Sequence, residues 1–178
     1  GEAAMSETLN LEMMMNHFSQ RGPLHLHNRR MVLMDADALG SLRRDLITAL
    51  GMERAKGFLI RLGWYYGHNI AKHLTELFPL QTQRHWLYAG ADIHGMTGYV
   101  KVKVKELKFN PETQEYYCEG YWYNSVEAEQ HLKHFGGHHE PVCFQLIGTV
   151  SGYVSTHVGR KVIFKEVMCR GKGDPYCY

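Results

Sequence analysis

Tyr99-Val100-Lys101-Val102-Lys103-Val104-Lys105 alternates apolar and charged residues without a break. Successive side chains of an extended strand point to opposite faces, so the three valines face one way and the three lysines the other. This is the pattern of a half-buried strand with a polar outer face. Asn110-Pro111-Glu112-Thr113 follows as a turn signal. Residues 115–123 return as the second strand of a hairpin, with Tyr116, Cys118, Gly120 and Trp122 on one face.

Helical spacing lies on both sides of this hairpin. Upstream, Ala55, Phe58, Leu59, Leu62, Tyr66, Ile70 and Leu74 share one broad face of a helix over 52–78. Gly57, Gly63 and Gly67 leave room for another element to approach it, and Pro79 stops it. Asp35 and Asp37 are candidate caps for a helix from about Ala38 to Leu50, ended by Gly51. Residues 24–34 read as a strand, and 80–97, which show no clear period, read as including a loop. The Met-rich segment 5–20 reads as core filler in a short helix, with a dimer arm as the alternative. Downstream, Ser125 with Glu127 and Glu129 starts a helix to about Phe135, broken by Gly136-Gly137. Residues 141–158 read as a helix bearing Gly148, Ser151, Gly152 and Ser155, and 161–166 as a last strand. The expectation is one α+β domain over 25–178, with helices packed on antiparallel sheet elements. A separate segment, 5–24, precedes it, and Gly1-Glu2-Ala3-Ala4 reads as a tag remnant.

Composition narrows the function classes. A chain of 178 residues has the length of one ordinary domain and can bury a core without disulfides. Its net charge of +2 comes from scattered basic residues, which excludes a nucleic-acid-binding arm within it. No apolar run is long enough to cross a bilayer and no secretory pattern opens the chain. Four cysteines without an export signal point to a reducing cytosol, where thiols serve metals or chemistry more often than disulfides.

Three of those cysteines suggest a site. Glu166-Val-Met-Cys169 is followed by Cys177, with Gly171, Gly173, Asp174 and Pro175 between the two thiols, and Cys143 lies upstream. Thiolates are soft ligands suited to zinc, and a carboxylate can complete a tetrahedral shell near the C-terminus. A closed shell of four protein ligands has no position for water, so such a site is structural. Spacing alone leaves the alternative open, because no doubled C-x-x-C motif is present: Cys143 as a small buried apolar residue and the other two as free thiols. Cys118, beside Trp122, is a rival ligand that reads more naturally as a core or pocket-wall thiol.

Pro141-Val-Cys143-Phe, Gly148, Ser151-Gly152-Tyr153, Gly159-Arg160 and Glu166-Val-Met-Cys169-Arg-Gly resemble the 4-vinyl reductase domain, here about 98–178. Leu42-Arg-Arg44, residues 52–63 and Trp122-Tyr-Asn-Ser125 extend the likeness. The chain resembles the sensory domain of XylR, DmpR, PoxR and MopR-type regulators over nearly everything after Gly22. The resemblance implies a cytoplasmic, dimeric sensor that precedes an AAA+ ATPase and a DNA-binding helix-turn-helix. Effector binding in such regulators relieves repression of the ATPase, which works with sigma-54 RNA polymerase. The sequence ends at Tyr178 before any Walker motif, so the resemblance implies an isolated sensor fragment. It also implies a structural Zn2+ on Cys143, Glu166, Cys169 and Cys177.

The same resemblance implies an effector pocket. His94 and Trp122 fall where phenol-sensing relatives hold the effector hydroxyl, and relatives that sense methylbenzenes tend not to keep that histidine. The indole N–H can only donate, while neutral imidazole can donate or accept, so one phenolic oxygen suits both. Val104, Gly120, Leu87, Tyr153 and Phe164 match wall positions. Gly120 and Leu87 replace bulkier residues of relatives, which implies a larger pocket. His134, His138 and His139, near Gly136-Gly137, read as a solvated loop rather than a second metal site. The competing functions are a zinc-dependent enzyme or accessory protein acting on a small aromatic, and a structural dimerisation module. No nucleophile elbow, H-E-x-x-H or dinucleotide loop supports the enzyme.

Overall fold

The computed structural model describes residues 15–16, 22–26 and 29–178. The tag remnant and most of the apolar segment 5–20, Phe18 included, lie outside the described residues. The chain divides into two compact units, through Asp35 and from Ala36 onward.

The first unit holds an antiparallel sheet of β1 (Met15–Asn16), β2 (Leu24–Leu26) and β3 (Arg29–Met31). The single strand expected over 24–34 is instead β2 and β3 paired with each other, Leu24 opposite Met31. Val32, Leu33 and Met34 lie exposed beyond the last pair, so that apolar run does not mark a buried strand.

The second unit has the order α1 (Ala36–Leu50), α2 (Met52–Leu77), α3 (Gln83–Met96), β4 (Lys101–Phe109), β5 (Tyr116–Tyr123), α4 (Val126–Phe135) and α5 (Phe144–Val158), then a 3-10 turn at Arg170–Lys172. The α+β expectation stands. The loop expected within 80–97 is helix α3: the Thr82 hydroxyl accepts from the His85 N–H at 3.2 Å and caps it. Its buried face includes Gly90 and His94 while Tyr88 and Met96 are exposed, which hides the helical period.

The core is built on α2 and α5, which approach to backbone contact. A Cβ on Gly63 or Gly67 would sit 2.0 Å from the carbonyl oxygen of Gln145 or Thr149. One on Gly148 or Gly152 would sit 2.1 or 2.3 Å from that of Ile60 or Trp64. Each helix thus presents glycines to the other, as anticipated for Gly63 and Gly67; Gly57 faces open space apart from the tip of Arg61.

Helix α5 begins at Phe144 rather than 141, because the residues before it are turned to other partners. The Val142 carbonyl accepts from Arg43 at 2.6 Å. The two oxygens of Glu127, on α4, accept from the N–H groups of Gln145 and Leu146 at 2.9 and 2.8 Å. Arg43 of α1 also donates to Glu127 at 2.6 Å, with both side chains buried. A carboxylate from one helix therefore caps the next, and an arginine from a third holds it there.

The strand expected over 161–166 forms no ladder. Its partner is α5 instead: the Ser155 hydroxyl accepts from Val162 N–H and donates to Val162 O, and Ser151 accepts from Phe164 N–H at 3.0 Å. Serine hydroxyls on a helix stand where a neighbouring strand would.

Candidate functional site

Four ligand-bearing side chains converge where α5, the 161–168 segment and the C-terminus meet. One ligand atom from each of Cys143, Glu166, Cys169 and Cys177 lies within 4.8 Å of the others, and all four residues are buried. The sulfur–sulfur separations are 3.9 Å for Cys143–Cys169, 3.7 Å for Cys143–Cys177 and 3.9 Å for Cys169–Cys177. A tetrahedral zinc with bonds of about 2.3 Å places its sulfurs about 3.8 Å apart. A disulfide needs about 2.05 Å, and all four cysteines of the chain are free.

The surroundings favour anionic sulfur. Val142 N–H and Arg170 N–H point at the sulfurs of Cys169 and Cys177, both at 3.4 Å, and the Ser125 hydroxyl lies 3.1 Å from Cys143. Hydrogen bonds from Cys143 and Cys177 hold the Cys169 thiol well below its ordinary range. Burial and the neighbouring Cys169 push Glu166 up to about 8, and burial pushes Cys143 up. Glu166 Oε2 accepts from Cys143 N–H at 3.1 Å, whereas Oε1 is buried with no partner. An orphaned carboxylate oxygen beside three close-set thiols fits a cation. The set can hold a metal ion, and it is the one such grouping among the described residues. Cys118 stays out of it, opposite Leu107 in the hairpin.

The pocket residues come from α3, the hairpin, α5 and the segment after it. Leu87, Gly90 and His94 share the buried face of α3. His94 Nδ1 lies 3.1 Å from the Gly90 carbonyl, which can only accept. The ring therefore carries its proton on Nδ1, and Nε2 presents a lone pair. That Nε2 is buried and has no partner. Burial lowers the pKa of His94 to about 4, so the ring is neutral at pH 7. Tyr153 lies edge-on to His94 at 6.3 Å, and its hydroxyl donates to the Trp86 carbonyl at 2.8 Å.

The hairpin supplies the rest. Trp122 pairs with Val102 in the ladder and forms a second, isolated pair with Cys177. Trp122 N–H donates to Cys177 O at 2.8 Å, and Cys177 N–H donates to Trp122 O at 3.1 Å. The backbone that carries the indole is thus fastened to a residue of the thiol cluster. Phe164 is partly buried, its ring 6.2 Å from Tyr116. Tyr116 and His157, whose ring lies 4.6 Å from Tyr153, also border this region and were not singled out from sequence. Tyr116 shares the Trp122 face at a spacing of two, a signal that could have found it.

Two expected wall residues need correction. Val104 is 37% exposed rather than turned inward, because a bulge follows it in the ladder between Val104 and Glu106. Gly120 does not open space: a Cβ there would sit 2.7 Å from Lys103 O and 3.1 Å from Val104 Cα. It permits the close approach of the facing strand at that bulge.

Two clefts reach the surface. One of about 780 Å³ lies between α2, the start of α5 and residues 161–166; one of about 260 Å³ lies among α1, α2 and α4. Of the seven expected pocket residues only Phe164 borders either of them. The buried, unpartnered imidazole is the stronger mark of a small polar ligand, since an open groove needs none.

Residues 10–110 match the XylR N-terminal family, described as the activator of aromatic catabolism. The chain belongs to this family. Residues 122–178 match the 4-vinyl reductase domain, a span that contains all four residues of the thiol–carboxylate cluster. Among curated relatives, the chain is 38% identical over 89% of its length to the phenol regulator MopR of Acinetobacter guillouiae. It is 35% identical over 88% to the transcriptional regulatory protein XylR of Pseudomonas putida. It spans 28% of the length of each. The crystal structure of the phenol-responsive sensory domain of the transcription activator PoxR with phenol superposes with a TM-score of 0.89 at 32% identity. That match covers 95% of this chain and 84% of the PoxR domain. Members of the family among these relatives are regulators, not enzymes.

Proposed function

We propose that this chain is the effector-sensing domain of a transcription activator and that it binds phenol or a substituted phenol between α3 and the hairpin. The observation that carries this reading is His94: a neutral, buried imidazole whose Nε2 lone pair has no partner. A phenol O–H donates to that nitrogen, and the Trp122 indole N–H donates to the phenol oxygen. Leu87 and Tyr153 of the helices, and Phe164 at the end nearer the surface, supply apolar contact. Benzene offers nothing to Nε2 and leaves it buried and unpaired, so the site discriminates by hydroxyl.

The cluster of Cys143, Glu166, Cys169 and Cys177 is proposed to hold a structural Zn2+, whose role is to close the fold around the C-terminus. In the longer protein, the domain is proposed to act as a homodimer and to relieve repression of an AAA+ ATPase that works with DNA and sigma-54 RNA polymerase in the cytoplasm. No described helix is long and apolar enough to cross a membrane. Calorimetric titration with phenol, an alkylphenol and benzene tests the reading. Saturable binding of the phenols with benzene far weaker is expected; equal binding of all three would overturn it.

A further inference from the structure

The 780 Å³ cleft is a candidate site independent of His94. Three elements build it. Helix α2 contributes Ile60, Arg61 and Trp64, α5 contributes Phe144 and Ile147, and the extended segment contributes Lys161, Ile163, Phe164 and Lys165. The volume lies in the range of small-molecule sites and exceeds what one benzene ring fills. Its walls are mainly apolar, with two aromatic faces, Trp64 and Phe164, and the Phe144 ring at one end.

The charge on the rim is one-sided. Arg61, Lys161 and Lys165 have no carboxylate partner among the described residues; Arg61 rests over the Phe58 ring at 4.7 Å. Lys56 is already paired with Glu140 at 3.6 Å. The other carboxylate on the cleft, Glu166, turns Oε2 to the Cys143 N–H and belongs to the thiol cluster. An apolar trough bordered by three unmatched cations suits a ligand with a flat apolar body and one anionic end. Lys161 and Lys165 flank Ile163 on an exposed strand-like segment, so a carboxylate reaches them without leaving water entirely.

We propose that this cleft binds an aromatic carboxylate of two fused rings or similar size, as a second small-molecule site of the domain. The probe is 2-naphthoate, with 2-naphthamide as its neutral counterpart, titrated by calorimetry into the protein with and without saturating phenol. The expected result is binding of about one naphthoate per chain, weak or absent binding of the amide, and no competition with phenol. Arg61→Glu and Lys165→Glu lie on exposed side chains and are expected to leave folding and phenol binding intact. Each should weaken naphthoate by about five-fold or more, since each reverses one screened charge at the rim. Affinity should also fall as salt rises. Equal affinity for amide and carboxylate, competition with phenol, or indifference to both reversals would overturn the proposal. Competition would identify the cleft as the mouth of the His94 site. If instead the reversals change only the dimerisation constant, the cleft is an interface between copies, which also overturns it. None of these outcomes bears on whether His94 and Trp122 hold phenol.

Discussion

His94 shows how one side chain acquires a role that its identity does not announce. The chain has 12 histidines, and composition cannot rank them. Burial on α3 and the bond to Gly90 fix one tautomer and leave one lone pair inward. His94→Ala should cost phenol about 1–3 kcal/mol, or roughly 5- to 150-fold in affinity, while benzene changes little. Calorimetry decides it, and equal losses for both ligands would mean the imidazole only packs. Burial also lowers His131 and His157 to about 4. A histidine whose folded pKa lies below its unfolded value of about 6.5 binds more protons when unfolded. Between about pH 4 and 6.5, stability therefore rises with pH, by up to about 1.4 kcal/mol per pH unit for each such histidine. The urea midpoint should be lower at pH 5 than at pH 7.5; a flat profile would mean these rings are not held neutral. Of the residues at the two sites, the cysteines and Glu166 could be suspected from type and spacing. The assignment of His94 and Trp122 rested on resemblance, because tertiary burial selects them.

At the scale of elements, the glycines of α2 and α5 separate two opposite expectations for one substitution. Alanine is favoured over glycine in a helix interior by up to about 1 kcal/mol. Gly57→Ala should therefore raise stability slightly, since nothing but the end of Arg61 lies near its Cβ. Gly67→Ala or Gly148→Ala drives a methyl group into a backbone carbonyl and should lower stability by about 1–3 kcal/mol or more despite the better propensity. Paired thermal melts check both signs. The long helix and the hairpin were legible because their periods, about 3.6 and 2, are clean. Helix α3 was not, because its inward face mixes glycine and histidine with apolar residues. Residues 161–166 carry a strand's alternation but meet serine hydroxyls in place of a partner strand, something no local pattern reveals.

At the scale of the whole molecule, two buried electrostatic knots hold the elements together. Arg43→Met leaves Glu127 charged, buried and without its cation, and should cost about 3–5 kcal/mol in urea denaturation. A loss below about 1 kcal/mol would show that the pair is dispensable. The thiol cluster is the second knot: elemental analysis should find about one zinc per chain, and Cys169→Ala or chelation should lower the melting temperature. Metal-free protein with an unchanged melt would remove zinc from the account. The pairing of Cys177 with Trp122 also sets the phase of the C-terminal residues. Tyr176 and Tyr178 turn their rings to Tyr121, at 5.1 and 5.0 Å, while the sulfur between them turns to the cluster. Alternation has only two settings, so one residue inserted between Tyr176 and Cys177 exchanges them. Either the new residue takes the place opposite Trp122 and the sulfur leaves the cluster, or the sulfur stays and Tyr176 is displaced from its seat on Tyr121. A single-glycine insertion at that point should therefore abolish metal retention or disturb the tyrosine stack, although it changes no ligand.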